Sequence, residues 1–196
     1  MCRVSGCKEN HPQHQCYLCG NNNSTHRSKD CSNRYNATLY HGTTVNAVSP
    51  ISLQGLKTSS GWRLGSGVYF ASQTNAKAIA RYRNGSNGHQ GVECVYVCKV
   101  NLGNIKALPN CQGDSSGNWR NQGYNSCYSF HPPWASINHY FREWVVCDSS
   151  RIQITDLYLL NGVYTGEIYL PGCTIHIGGN VTFGGNISAG TISIGG

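Results

Sequence analysis

Four side chains near the start of the chain, Cys16, Cys19, His26 and Cys31, are spaced as Cys-x2-Cys-x6-His-x4-Cys. Three thiolates and one imidazole are the set zinc takes in tetrahedral structural sites, and the close Cys pair forms the usual knuckle. Farther on, three short apolar runs carry polar residues able to grip a ligand: Leu39-Tyr40-His41-Gly42-Thr43-Thr44, Leu64-Gly65-Ser66-Gly67-Val68-Tyr69-Phe70-Ala71 and Arg142-Glu143-Trp144-Val145-Val146. Runs of this length bounded by Gly or Ser read as buried strands, and a polar residue at the mouth of such a strand is normally there for a site. Three of them predict one cleft.

Composition narrows the choice of carboxylate. Asp and Glu together number 8, and the only glutamates after residue 35 are Glu93, Glu143 and Glu167. Glu93 lies in the alternating strand Val92-Glu93-Cys94-Val95-Tyr96-Val97, whose polar positions are expected to face water. Glu143 opens a continuous apolar run, a costly place for a charge without a partner.

In order and content these segments resemble the His-Tyr-Glu signature of the poly(ADP-ribose) polymerase family, the diphtheria-toxin-like ADP-ribosyltransferases. His41-Gly42-Thr43 matches its His-Gly-Ser/Thr motif and Gly65 to Ala71 its Gly-x-Gly-(Ile/Val)-Tyr-Phe-Ala motif. Tyr82 fits the second Tyr, one helix on, and Glu143 to Val146 the late Glu strand. The resemblance covers roughly Leu39 to Leu160 and implies an α+β fold with a split β-sheet. It further implies an enzyme that cleaves NAD+ at the nicotinamide-ribose bond and transfers ADP-ribose, one unit at a time, to a protein or nucleic-acid acceptor.

The implied catalytic residues are His41, Tyr69 and Glu143; the implied dinucleotide-binding set is His41, Gly42, Thr43, Tyr69 and Tyr82. His41 would bond the adenosine ribose and Gly42 would offer its N–H and C=O to the carboxamide. Tyr69 and Tyr82 would sandwich the nicotinamide, and Glu143 would take the nicotinamide-ribose 2′-hydroxyl. Bond cleavage passes through an oxocarbenium-like state, which a carboxylate beside the sugar stabilises. Lys77 stands where many members carry a Ser that clamps the carboxamide, with Ser72 and Thr74 as substitutes. That departure keeps an inactive NAD- or ADP-ribose-binding, nucleic-acid-binding protein as the alternative. A phosphotransferase acting on RNA 2′-phosphates is a second, but it uses basic residues where this chain has Glu143.

The elements that must position these residues follow from pattern. Val45 to Leu53 predicts a short helix stopped at Gln54-Gly55-Leu56, and Thr74 to Tyr82 a helix capped by Thr74, with Ala76, Ile79 and Ala80 as its buried stripe. Arg83 to Gly91 reads as a flexible loop and Val92 to Val100 as a strand. Residues 101–138 read as a long irregular stretch with Trp119, Tyr124, Tyr128 and Trp134, and its Gly123-Tyr124-Asn125-Ser126-Cys127 resembles a segment of mono-ADP-ribosylating relatives; loops of this length in a compact domain are usually functional.

Three segments are expected: a zinc module at 1–35, a catalytic domain at 36–170 and a Gly-rich β tail at 171–196. The first has too few aliphatic residues for a core, so metal must order it. Cys2, Cys7, His11 and His14 could form a second Cys2His2 site. With Arg3, Lys8, Arg27, Lys29, Arg34 and Tyr17, the module suits single-stranded nucleic acid. In the tail, Ile177-Gly178-Gly179-Asn180-Val181-Thr182 and Phe183-Gly184-Gly185-Asn186-Ile187-Ser188 form a six-residue near-repeat. Such repeats read as small β coils that must pack on a partner, on copies of the chain or on the parent sheet edge.

Lys and Arg number 15 against 8 Asp and Glu, a net charge of +7 that permits a polyanion or a dinucleotide as ligand. There are 11 Cys, an odd number in a chain whose start, Met1-Cys2-Arg3, leads into polar sequence, so free thiols are expected rather than a disulfide framework. No run of eighteen apolar residues occurs, so neither a membrane span nor a secretory signal is expected, and an intracellular setting, cytoplasmic or nuclear, follows.

Overall fold

Strand β3 (Glu93–Val100) is buried along both faces. Because side chains alternate along a strand, Cys94, Tyr96, Cys98 and Val100 enter the main core while Val95 packs under Ala76 and Ala80 of helix α2 (Gln73–Gly85). The computed structural model describes residues 16, 18, 19, 26, 28–60, 62–108 and 111–195. Around β3 a mixed sheet grows in both directions. β1 (Ala37–Thr43) and β7 (Ile152–Leu160) flank it antiparallel, and β9 (Ile168–Gly178) and β11 (Ile187–Gly195) extend the β7 side in parallel.

A second sheet runs in the order β2 (Val68–Phe70), β6 (Phe141–Val146), β5 (Ser126–His131) and β4 (Ile105–Ala107). Val68, Phe70, Tyr128, Trp144 and Val146 of this sheet meet Leu39, Tyr96, Leu157 and Ile175 of the first in one core. The sheets touch edge to edge through a single bridge, in which Tyr40 N–H donates to the Ala71 carbonyl at 3.2 Å and Ala71 N–H to the Tyr40 carbonyl at 2.9 Å. This is an α+β architecture, mostly sheet, with two short α-helices among the described residues.

α1 is Val48–Gln54, preceded by a 3-10 turn at Val45–Ala47; Pro50 falls in its first turn, where no N–H is needed, and Gly55 at φ 74° ends it. α2 begins two residues earlier than expected: Ser72, not Thr74, is its cap, accepting from Asn75 N–H at 3.4 Å. It also runs on into the expected loop, because Asn84 is fully buried. The Asn84 amide donates to the carbonyls of Thr43 (3.1 Å), Ala80 (2.8 Å) and Val92 (3.3 Å) and accepts from Val45 N–H (2.8 Å), pinning the helix end to both flanking strands. Residues 101–138 are not wholly irregular, since β4 and β5 lie within them.

The C-terminal stretch extends the parent sheet. β9 runs through residue 170, and Leu170, Cys173 and Ile175 belong to the main core. β8 (Gly162–Tyr164) and β10 (Val181–Phe183) form a small parallel pair of their own, so residues 152–195 wind as a parallel coil. The stacking partners are Tyr164 with Phe183, Ile168 with Ile187 and Ile175 with Ile192, a unit roughly three hexads long. No helix among the described residues is long and apolar enough to cross a membrane.

Candidate active site

The three apolar runs become β1, β2 and β6, and the bridge at Tyr40 and Ala71 brings them to one hollow. His41 donates from Nδ1 to the Tyr69 carbonyl at 2.8 Å. A carbonyl can only accept, so this contact leaves Nε2 of the neutral ring as an acceptor. Burial, with the nearby Arg83 charge, moves the imidazole down to about 4, so it is neutral at pH 7; the bond to Tyr69 opposes the shift without reversing it. Tyr69 pairs with Val145 across β2 and β6, and Glu143, two residues before Val145, projects from the same face.

Glu143 is mostly but not fully buried, its side chain 15% exposed. Burial raises its carboxyl to about 7, against the lowering pull of Arg63 and Arg83. Arg63 Nη1 stands 4.0 Å from Glu143 Oε2, too long for a hydrogen bond, while Arg63 Nη2 is tied to the Phe130 carbonyl at 2.8 Å and to that of Cys111. The Tyr69 hydroxyl is also committed: it accepts from Leu64 N–H at 2.9 Å and donates to the Gly65 carbonyl at 2.5 Å, which fixes the ring and leaves its face for packing. Trp119 shares a buried cluster with Leu64 and Val145 against which Tyr69 packs, donating from Nε1 to the Leu64 carbonyl at 2.8 Å.

His41, Gly42, Tyr69 and Glu143 line a single cavity of about 360 Å³. Thr43 and Tyr82 are not among its lining residues. Thr43 is buried at the end of β1, where its carbonyl accepts from Asn84. Tyr82 sits on the outer side of α2, 48% exposed, with its ring edge-to-face on Trp134 at 5.4 Å, and Trp134 is the ring that lines the cavity. The helical period explains this: Ala76, Ile79 and Arg83 share the inward face, and residue 82 is about 100° away from residue 83.

None of Ser72, Thr74 and Lys77 lines the cavity either, so α2 presents no hydroxyl there. Lys77 lies over the Tyr158 ring at 6.0 Å, on the outer face of the large sheet. Gly42 has a packing reason for its identity, because a Cβ would stand 2.1 Å from the Ala76 carbonyl oxygen. Its own carbonyl accepts from Arg83 Nη1 at 3.2 Å. Glu93, expected to face water, is buried and ion-paired with Arg81, since β3 has no solvent face.

The residues that sequence reasoning missed are Lys57, Trp62, Arg63 and Arg83, all on the cavity wall, where Trp134 joins them from the long stretch expected to be functional. Arg63 sits one residue before the Leu64 run, a signal visible only once the cleft is drawn. With Glu143 the lone carboxylate against three cations, and His131 moved down by burial, the wall carries net positive charge.

Apart from the cavity, the donor atoms of Cys16, Cys19, His26 and Cys31 all lie within 4.8 Å of one another. Cys19 Sγ is 3.6 Å from His26 Nε2, and ligand atoms at the corners of a zinc tetrahedron are spaced about 3.8 Å. Cys16 and Cys31 are buried. Burial opposes ionisation of Cys16, but N–H donors of Leu18 and Cys19 and the neighbouring thiols bring it down to about 7. Burial pushes Cys31 up to about 11. The donor set and spacing fit zinc. Cys2, Cys7, His11 and His14 lie outside the described residues. Cys94, Cys98, Cys127 and Cys173 are free and buried.

The family model for the poly(ADP-ribose) polymerase catalytic domain matches residues 8–129, which take in His41, Gly42, Tyr69 and Tyr82 and stop before Glu143. No curated protein matches the chain.

Proposed function

Because the chain belongs to the poly(ADP-ribose) polymerase catalytic-domain family, we propose that it cleaves NAD+ at the nicotinamide-ribose bond and transfers ADP-ribose, with His41, Tyr69 and Glu143 as its catalytic residues. The observation that carries this reading is the convergence of those three side chains on one cationic cavity, since a bent dinucleotide brings two phosphate charges and one pyridinium. The glycosidic bond breaks with its electron pair leaving on nicotinamide; the positive charge left on the ribose is stabilised by Glu143 through the 2′-hydroxyl, and an acceptor oxygen or nitrogen then closes on C1′ and gives up its proton. His41 Nε2 accepts a hydroxyl of the adenosine ribose. Tyr69 supplies one face of the nicotinamide slot and Trp134 the other, with Tyr82 and Thr43 acting behind them.

The transfer is of a single unit, to a protein or nucleic-acid acceptor. Zn2+ held by Cys16, Cys19, His26 and Cys31 would order the segment that leads into β1, and its basic residues keep single-stranded nucleic acid as a partner. A second reading, NAD+ binding without turnover, draws on two features: α2 offers no hydroxyl to the cavity, and Arg83 occupies the Gly42 carbonyl. Nicotinamide release from NAD+, measured beside titration of NAD+ binding, separates them. Release that Glu143→Gln lowers at least about a hundredfold supports the enzyme; binding without release supports the alternative.

A further inference from the structure

Arg83 is a cation of the cavity wall to which the reaction described above gives no task. It is held from two sides: Nη1 donates to the Gly42 carbonyl at 3.2 Å, and the guanidinium lies over the Trp62 ring at 5.8 Å. The neighbouring Asn84 pins that end of α2 to the carbonyls of Thr43 and Val92, so the charge has a fixed place. Gly42 turns both of its backbone groups the same way. Residues two apart along a strand direct N–H and C=O to one edge, and Tyr40 uses its pair on Ala71, at the edge of β1 away from β3. The Gly42 carbonyl is therefore occupied by Arg83 while its N–H faces the cavity. This end of the hollow presents donors: one backbone N–H and the rest of a guanidinium fork.

We infer that Arg83 makes the cavity selective for a dinucleotide whose pyridine ring carries a carboxylate in place of the carboxamide, the nicotinic acid form of NAD+. The inference rests on the reading of the cavity as a dinucleotide site with its ring between Tyr69 and Trp134. A carboxylate only accepts, so it matches a set of donors, and a guanidinium holds it with charge-assisted bonds. A carboxamide can turn its oxygen to the same donors, but its amino group is then left without an acceptor. The Gly42 carbonyl is taken, and neither Ser72 nor Thr74 lines the cavity. An unpaired donor in a closed site costs affinity. Charge acts in the same direction. The pyridinium of NAD+ meets a wall with Lys57, Arg63 and Arg83 against Glu143, whereas the acid form brings its own counter-charge. In cleavage the glycosidic electron pair goes to the ring nitrogen, nicotinate leaves, and the acceptor bonds to C1′ and gives up its proton.

Calorimetric titration of the full chain with NAD+ and with nicotinic acid adenine dinucleotide, beside release of the pyridine base from each, tests this. The acid form is expected to bind at least about tenfold more tightly, and Arg83→Gln to abolish that ratio. Nicotinate should also displace the bound dinucleotide at lower concentration than nicotinamide does. The ratio in the parent chain needs no variant, so it stands whether or not Arg83→Gln folds. Equal or weaker binding of the acid form overturns the selectivity and leaves transfer from NAD+ untouched. Tighter binding of the acid form with release from neither dinucleotide upholds the selectivity and overturns the transfer. A folded Arg83→Gln that keeps the parent ratio removes Arg83 as its source, and a chain that binds neither dinucleotide overturns both readings.

Discussion

Arg142 donates from Nη1 to the Ser28 hydroxyl at 2.9 Å, a contact across 114 residues of sequence. Ser28 lies between His26 and Cys31, and Arg142 directly precedes Glu143 on β6. The guanidinium also lies over the rings of Tyr128 (4.5 Å) and Phe130 (5.1 Å). The Cys/His segment therefore braces the strand that carries the buried carboxylate, from that strand's opposite face.

Metal removal should reach the cavity through this brace. Dialysis against a strong chelator is expected to lower the melting temperature and the rate of nicotinamide release together, with recovery on adding Zn2+. Cys19→Ser should reproduce the chelated state, and Ser28→Ala should reproduce part of it at a cost of about 1 kcal/mol. Release and melting that ignore the chelator would show that the four donors hold nothing the cavity depends on.

Activity should follow the ionisation of Glu143. Its carboxyl is raised to about 7, chiefly by burial, so kcat/KM for NAD+ is expected to climb as pH passes through about 7 and then level. Arg63 lowers that value, so Arg63→Met should move the rising limb upward by on the order of one unit. A pH profile flat between 5 and 9, expressed as the pH arms of that assay, would remove Glu143 from the rate-limiting chemistry.

The same ionisation has a stability signature of opposite sense to most carboxylates. The folded-state value, about 7, lies above the ordinary 4.5. A raised value means that the contribution is fully present below the unfolded value and is lost as pH rises through the folded one. Glu143→Gln should therefore match the parent near pH 4 and exceed it by about 3 kcal/mol near pH 8. Urea melts at the two pH values check this, and a variant less stable at both would contradict it.

Asn84→Ala should be among the most damaging single changes outside the cavity wall. It strips partners from the half-buried Val45 N–H and from the Thr43 and Val92 carbonyls, for a loss of about 2 to 4 kcal/mol. Because Arg83 is the next residue in, nicotinamide release should fall with it. A variant that melts within about 0.5 kcal/mol of the parent would show those groups find other partners.

Much of this was legible in the sequence because the decisive signals are local. The glycine-bounded strands, the His41 and Tyr69 runs, the Ala76, Ile79 and Ala80 stripe and the Cys/His spacing from Cys16 to Cys31 all declare themselves within short stretches of sequence. What could not be read depends on phase or on distance. Tyr82 and Arg83 are neighbours in sequence, and only the rotation of α2 says which of them reaches the hollow. Arg63 gains its meaning from β5 and β6, which arrive some seventy residues later. The tail showed its hexads but not its stacking unit, because strand pairing spans three of them.

The passage of β9 through residue 170 ties the chain's last quarter to the fate of the whole. Leu170, Cys173 and Ile175 fill the same interior as Tyr96 and Trp144, so warming should take the cavity-bearing sheet and the coil apart in one cooperative step rather than two, with a calorimetric enthalpy equal to the van't Hoff value. A chain cut after Leu170 would then be not a smaller domain but an unfinished one, shedding its cavity along with its coil.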